Sequence, residues 1–173
     1  MLLAGCSDLS GTGGKGYITN DGTVTEIAPG DRGDRIELTG EDLSGEPLAL
    51  APLRGKPVVV NVWWSACPPC IVEQPDLNEV AEDLGDRASF VGVNIRDSSA
   101  ENAQAYVRGQ DVAYPSFFSP DGRALLPFSG ELGPRDIPST LVLDRDGRIA
   151  AVVRGAIPSK QTLVSVVEKV LDE

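Results

Sequence analysis

Residues 58–70 read Val58-Val59-Val60-Asn61-Val62-Trp63-Trp64-Ser65-Ala66-Cys67-Pro68-Pro69-Cys70. A β-forming apolar run, short enough for one buried strand, breaks at Ser65 and is followed at once by two cysteines three positions apart. Chemistry is therefore expected at a strand's carboxyl end. If a helix opens after Ser65, Cys67 and Cys70 stand at i and i+3 on one face, close enough for a small disulfide. Pro68 and Pro69 then fall in the first helical turn, where a missing backbone N–H costs little. Cys67 would sit at the positive end of the helix dipole among unpaired N–H groups, which favour thiolate over thiol. It is the expected nucleophile, and Cys70, one turn inside, the expected resolving thiol.

Two other uses of such a pair are weighed on composition. Zinc needs about four ligands, and the chain has no histidine and one further cysteine, Cys6. An inert disulfide across so short a loop contributes little stability, because the entropic gain grows with loop length. Redox exchange is the stronger reading in this strand-to-helix context.

The motif resembles the thioredoxin-like superfamily, and in detail its membrane-anchored TlpA/ResA branch, which commonly carries Asn-Phe-Trp-x-x-Trp-Cys-x-x-Cys. Asn61, Val62, Trp63, Cys67, Pro69 and Cys70 fit that pattern. Trp64 stands where a small residue is usual, and Ala66 replaces the tryptophan that precedes the nucleophile, which is expected to leave Cys67 less covered. The resemblance implies an α/β thioredoxin-like fold, a central mixed sheet flanked by helices, with an N-terminal β-hairpin extension and a central insertion.

The length of 173 residues and the 41% hydrophobic content suit one domain with a tail. Division is expected into a start and flexible tether over 1–34 and a thioredoxin-like domain over 35–173. A net charge of −11 argues against nucleic acid or an anionic lipid surface as the main partner. The absence of histidine excludes histidine-dependent catalysis and histidine metal sites. Neither metal nor other cofactor is expected, and a monomer is.

Leu3-Ala4-Gly5-Cys6 resembles the bacterial lipobox, which implies a lipid on Cys6. Residues 7–35 are rich in Gly, Asp, Thr and Ser, so a flexible tether is expected, with one short strand near 16–19. No stretch has the length of a transmembrane helix, so the lipid would be the membrane attachment. Residues 36–38 and 47–50 read as strands of a hairpin around the turn at 40–45. The helix opened by Cys67 is expected to reach Leu84, with Ile71, Leu77, Val80, Ala81 and Leu84 as its apolar face and Pro75 as a kink. Glu73, one turn beyond Cys70, has two readings: a solvated helix residue, or a carboxylate beside the thiols that exchanges a proton with Cys70. In the ResA-like branch a glutamate at this spacing lies in the active-site pocket.

Further on, 89–95 reads as a second buried parallel strand, 100–108 as a helix and 112–118 as a short strand. Residues 124–128 suit one helical turn before a loop over 129–136, where the TlpA-like branch carries its insertion. Ile137-Pro138-Ser139-Thr140 before an apolar strand looks like the cis-proline site of thioredoxin-like proteins. Pro138 has no N–H, so the carbonyl and amide of Ile137 are expected to be free for an extended substrate segment lying across Cys67. Trp63, Trp64, Pro68 and Pro69 would border that segment. A hairpin turning at 144–147 and a final helix over 159–171, with Leu163, Val166, Val167 and Val170 on one face, complete the chain.

An extracytoplasmic thiol-disulfide oxidoreductase is the function expected. The resemblance implies a reductase of a protein disulfide, apocytochrome c being the favoured substrate, recharged by a membrane electron-donor protein. The same residues also suit an oxidant that forms disulfides in secreted proteins. Less favoured are a peroxide-reducing relative, which a peroxide-consumption assay separates, and an anchored binding module with structural cysteines.

Overall fold

The computed structural model describes residues 15–18 and 24–173 of the chain. Nine strands are assigned in these residues: β1 Lys15–Ile18, β2 Val24–Ile27, β3 Thr39–Glu41, β4 Pro47–Ala49, β5 Val58–Trp63, β6 Ser89–Asn94, β7 Ser116–Phe118, β8 Ser139–Leu143 and β9 Ile149–Arg154. The helices are α1 Pro68–Leu84, α2 Ala100–Gly109 and α3 Lys160–Leu171. Seven strands form one sheet in the order β1-β2-β9-β8-β5-β6-β7, and β3 and β4 pair separately. β5 is parallel to β6 and antiparallel to β8, so the sheet is mixed.

Every residue of β5 is buried, as its unbroken apolar run requires. Because side chains alternate along a strand, Val58, Val60 and Val62 join one core cluster, while Val59 joins another with Leu77, Val80 and Leu84 of α1 and with α3. Ile36, Leu38, Leu125, Phe128 and Leu132 cover the face opposite α1. Part of that cover comes from a 3-10 turn, Arg123–Phe128, at the start of the expected insertion. The sheet thus has apolar layers on both faces, and α1 starts just past its central strand.

Several boundaries differ from the sequence-based expectation. The first hairpin strand is Thr39–Glu41 rather than 36–38, because Ile36 and Leu38 turn inward to the core. An isolated bridge from Asp42 to Phe117 brings this hairpin against the β7 edge, which it helps to cover. The strand expected over 112–118 is confined to Ser116–Phe118; Tyr114 is buried against the α1 side, and Pro115 has no N–H to give a ladder. Ile71 is 41% exposed and leaves the apolar face of α1 to Leu77, Val80 and Leu84.

The largest difference is at the expected domain boundary of residue 35. β2 pairs with β9 through Val24 and Val153, Thr25 and Val152, and Glu26 and Ala151, and β1 pairs with β2. Scattered apolar residues are enough here, because β9 already supplies an edge and α3 a surface for buried Val24. Residues 28–34 are tied down as well. Arg32 donates to the Ile27 carbonyl at 3.1 Å and the Asp144 carboxylate at 3.0 Å, and pairs with Glu173 at 2.6 Å. The Arg32 and Asp144 side chains are only 3% and 5% exposed. The remaining tether residues and Cys6 lie outside the described residues. Among the described residues no helix is long and apolar enough to cross a membrane.

Burial raises the Asp144 carboxyl, but the Arg148 amide and the Arg32 guanidinium outweigh it and hold the group below its ordinary value. A depressed carboxylate stabilises the fold above its unfolded pKa of about 3.9, and that contribution is lost as pH falls through the folded value. Arg32→Ala is expected to cost about 2 kcal/mol, since Asp144 keeps its bonds from Arg148 and the backbone. The urea midpoint at pH 7 measures it; a midpoint unchanged from the parent chain would show that the pair contributes nothing net.

Candidate active site

The end of β5 turns sharply into α1. The Cys67 amide donates to the Trp64 carbonyl at 3.1 Å, and Cys67 is the N-cap of the helix, its sulfur accepting from the Cys70 amide at 3.2 Å. Pro68 and Pro69 take the first helical positions and are exposed. The two sulfurs form a disulfide of 2.06 Å across a Cα separation of 5.3 Å. Cys67 is 5% exposed and Cys70 1% exposed. Cys67 is therefore well covered even though Ala66 stands before it, since Trp63, half-buried Trp64 and half-buried Ile137 close in around the pair.

Trp63 is the floor of this cluster. It stacks on Tyr106 of α2 with ring centroids 4.5 Å apart and donates from Nε1 to Ser116 Oγ at 3.3 Å. Gly92 makes room for it, because a Cβ there would run into both Ser116 Oγ and Trp63 Nε1. Tyr106 also donates to the Cys70 carbonyl at 3.0 Å. Burial, with Tyr114 and Glu73 nearby, raises the Tyr106 phenol above its ordinary value, so it stays a donor through the working pH range.

Glu73 is buried one turn beyond Cys70 in α1 and is not on a solvated face. It is 3% exposed, accepts from Asn61 Nδ2 at 3.0 Å and from the Ile157 amide at 2.9 Å, and Asn61 also donates to Thr140 Oγ1 at 3.2 Å. Burial pushes its carboxyl up to about 7, against these two bonds, which pull the other way. A group with this pKa exchanges protons near neutrality.

The Ile137–Pro138 peptide bond is cis and Pro138 is buried. The backbone of Ile137 is only half available, which corrects the expectation of a free carbonyl and a free amide. Its amide donates to the Arg135 carbonyl at 2.9 Å in a tight turn, and among the described residues its carbonyl has no partner. On the outer side Val72, 78% exposed, and Ile71 lie one turn from the thiols beside Pro68 and Pro69.

Sequence reasoning missed Tyr106, Ser65 and Asp97. Tyr106 had a weak signal as an aromatic on the inner face of α2; Asp97, in the stretch between the strand read over 89–95 and the helix read over 100–108, had none that pointed to Ser65.

The sheet order, the helix started by a thiol N-cap and the cis-proline are those of a thioredoxin-like fold, and comparison with known proteins agrees. The Redoxin family profile matches residues 28–171. The chain belongs to the Redoxin family. It is similar to the thiol:disulfide interchange protein DsbE of Pseudomonas aeruginosa, with 31% identity over 73% of this chain and 68% of that one. It is also similar to the thiol-disulfide oxidoreductase ResA of Bacillus thuringiensis, with 23% identity over 93% of this chain and 88% of the relative. Among solved structures, a DsbF homologue from Corynebacterium diphtheriae superimposes with a TM-score of 0.80 at 34% identity, over 88% of this chain and 96% of that one. This Redoxin-family chain is thus a thiol-disulfide oxidoreductase of the ResA and DsbE type.

Proposed function

We propose that the chain is an extracytoplasmic reductase of disulfides in exported proteins, apocytochrome c among them, held at the membrane by a lipid on Cys6. The observation that carries the thiol-disulfide exchange is the arrangement of Cys67 at the helix N-cap, Cys70 sealed behind it and Glu73 buried one turn beyond Cys70; the likeness to ResA supports the reducing direction. The lipobox-like start supports the location.

In the reduced chain the Cys67 thiolate attacks one sulfur of a substrate disulfide. That S–S bond breaks, a mixed disulfide forms, and the departing substrate sulfur takes a proton. Cys70 then gives its proton to the Glu73 carboxylate and attacks the Cys67 sulfur, which breaks the mixed disulfide; the second substrate sulfur leaves as a thiolate and takes a proton from solvent, so the substrate is released as a dithiol. Two electrons pass to the substrate and a Cys67–Cys70 disulfide remains. A membrane electron-donor protein would return the two electrons. The Ile137 carbonyl beside Pro138 would hold the substrate backbone, with Trp63, Trp64, Pro68 and Pro69 shaping the rim.

The reduction potential of the pair, equilibrated against defined thiol buffers, tests the direction. A value near about −270 mV is expected; one near about −120 mV would make the protein an oxidant of secreted proteins and overturn the reductase reading. A Cys70→Ser chain is expected to accumulate mixed disulfides through Cys67, visible by mass under non-reducing conditions.

A further inference from the structure

We propose that Asp97 is a positioning residue for the thiol pair: its buried carboxylate clamps Ser65, two residues before Cys67, and so sets how the nucleophile is presented at the start of α1. The proposal rests on Cys67 being the attacking thiol.

Asp97 lies just past β6 and is 2% exposed. Its Oδ2 accepts from the Ser65 amide at 3.1 Å and from Asn94 Nδ2 at 2.6 Å, and its Oδ1 accepts a short bond from the Ser65 hydroxyl. All these donors are neutral and all sit at the strand ends that carry the site. A buried carboxylate is costly unless its oxygens are satisfied, and here Ser65 supplies two of the three bonds.

Ser65 is a central residue of the turn closed by the Cys67 amide on the Trp64 carbonyl. Holding Ser65 by both amide and hydroxyl fixes that turn, and with it the backbone of the N-cap. A second tie lies alongside, where the Ile95 amide donates to the Trp63 carbonyl at 3.1 Å. The loop that delivers Asp97 bears a conformational cost. Arg96 has φ of 68°, in the left-handed region that residues with a Cβ rarely adopt. Its guanidinium turns to the Pro134 carbonyl at 2.7 Å, while Asp97 turns inward.

Released from the clamp, Ser65 and Ala66 would sample other turns, and the Cys67 sulfur would spend less time at the helix N-terminus where thiolate is favoured. Loosening of the whole fold does the opposite, because it exposes Cys67 and Cys70 together and speeds both. The selectivity between the two thiols therefore separates positioning from general support.

The experiment measures iodoacetamide alkylation of each thiol in the reduced full chain at pH 7, resolved by peptide mass. Asp97→Ala is expected to slow Cys67 about tenfold and Ser65→Ala about threefold, with Cys70 unchanged. The double variant should be no slower than Asp97→Ala, since both remove one interaction. Ser65→Thr keeps the hydroxyl and should react within twofold of the parent chain. Cys67 rates within twofold of the parent in both single variants, or acceleration of both thiols, would overturn the clamp. If Asp97→Ala does not fold, Ser65→Ala and Asp97→Asn decide it, and a parent-like Cys67 rate in both overturns it. Alkylation of Cys70 before Cys67 in the parent chain would overturn the nucleophile assignment, and the clamp with it. Unchanged variant rates with Cys67 still first would overturn the clamp alone.

Discussion

A Cys67→Ser chain is expected to lose disulfide reduction by at least about three orders of magnitude while keeping its fold. Exchange requires a sulfur anion at the point of attack, and a serine hydroxyl is not ionised at neutral pH. Cys70 cannot take over, because it is 1% exposed and lies behind the N-cap. The fold should survive for a specific reason. The Cys67 sulfur accepts from the Cys70 amide as a helix cap, and a serine oxygen is a better acceptor in that position. Loss of the three-residue disulfide loop costs little. Release of thiols from a peptide disulfide, with the urea midpoint as control, measures both parts. Activity above about a tenth of the parent's would sink the assignment of Cys67.

Glu73→Gln is expected to slow resolution of the mixed disulfide about a hundredfold at pH 8, within the range of general acid–base effects. In the parent chain the rate should rise through pH about 7, as the buried carboxyl loses its proton and becomes able to accept the one on Cys70. The variant should show no such rise, and stopped-flow decay of a preformed mixed disulfide between pH 6 and 8 would show it. Equal rates for the two chains at pH 8 would return Glu73 to a structural role. The same group affects stability with a defined sign. Its folded pKa is raised, so between about 4.5 and about 7 the folded chain keeps a proton that the unfolded chain has released. Stability therefore falls as pH rises across that window, by on the order of 3 kcal/mol for this group, and the glutamine variant should lack that fall. Glutamine can be accommodated locally. Asn61 Oδ1 is buried without a partner, and a flip of the Asn61 amide turns it towards the glutamine Nε2 while the glutamine oxygen keeps the bond from the Ile157 amide.

Both predictions start from residues that were visible in the sequence, but for different reasons. Cys67 and Cys70 were legible because a strand followed directly by a Cys-Pro-Pro-Cys helix start is a local pattern whose geometry is set within one turn. Glu73 was legible only as a position, three residues past Cys70. Its burial depends on Asn61 in β5 and on the Ile157 amide beyond β9, partners 12 and 84 residues away along the chain. Ile137 shows the limit of a loop read from motif alone, because its amide is consumed by the Arg135 carbonyl, a contact made inside the loop itself. β2 was missed for an energetic reason. Its few apolar residues would not sustain a strand by themselves, and pairing with β9 removes that requirement.

The sequence by itself determined the central strand, the helix that starts with a thiol, the order of strands and helices after them and the class of reaction. These follow from periodicity, proline placement and thiol spacing, which act over a few residues. Only the tertiary structure decided that residues 24–34 are part of the domain, that Glu73 is buried with a pKa near 7, and that Asp97 reaches back to Ser65. Those are matters of burial and of hydrogen bonds between distant segments, and whether a carboxylate is solvated or sealed is fixed by what the rest of the chain packs against it.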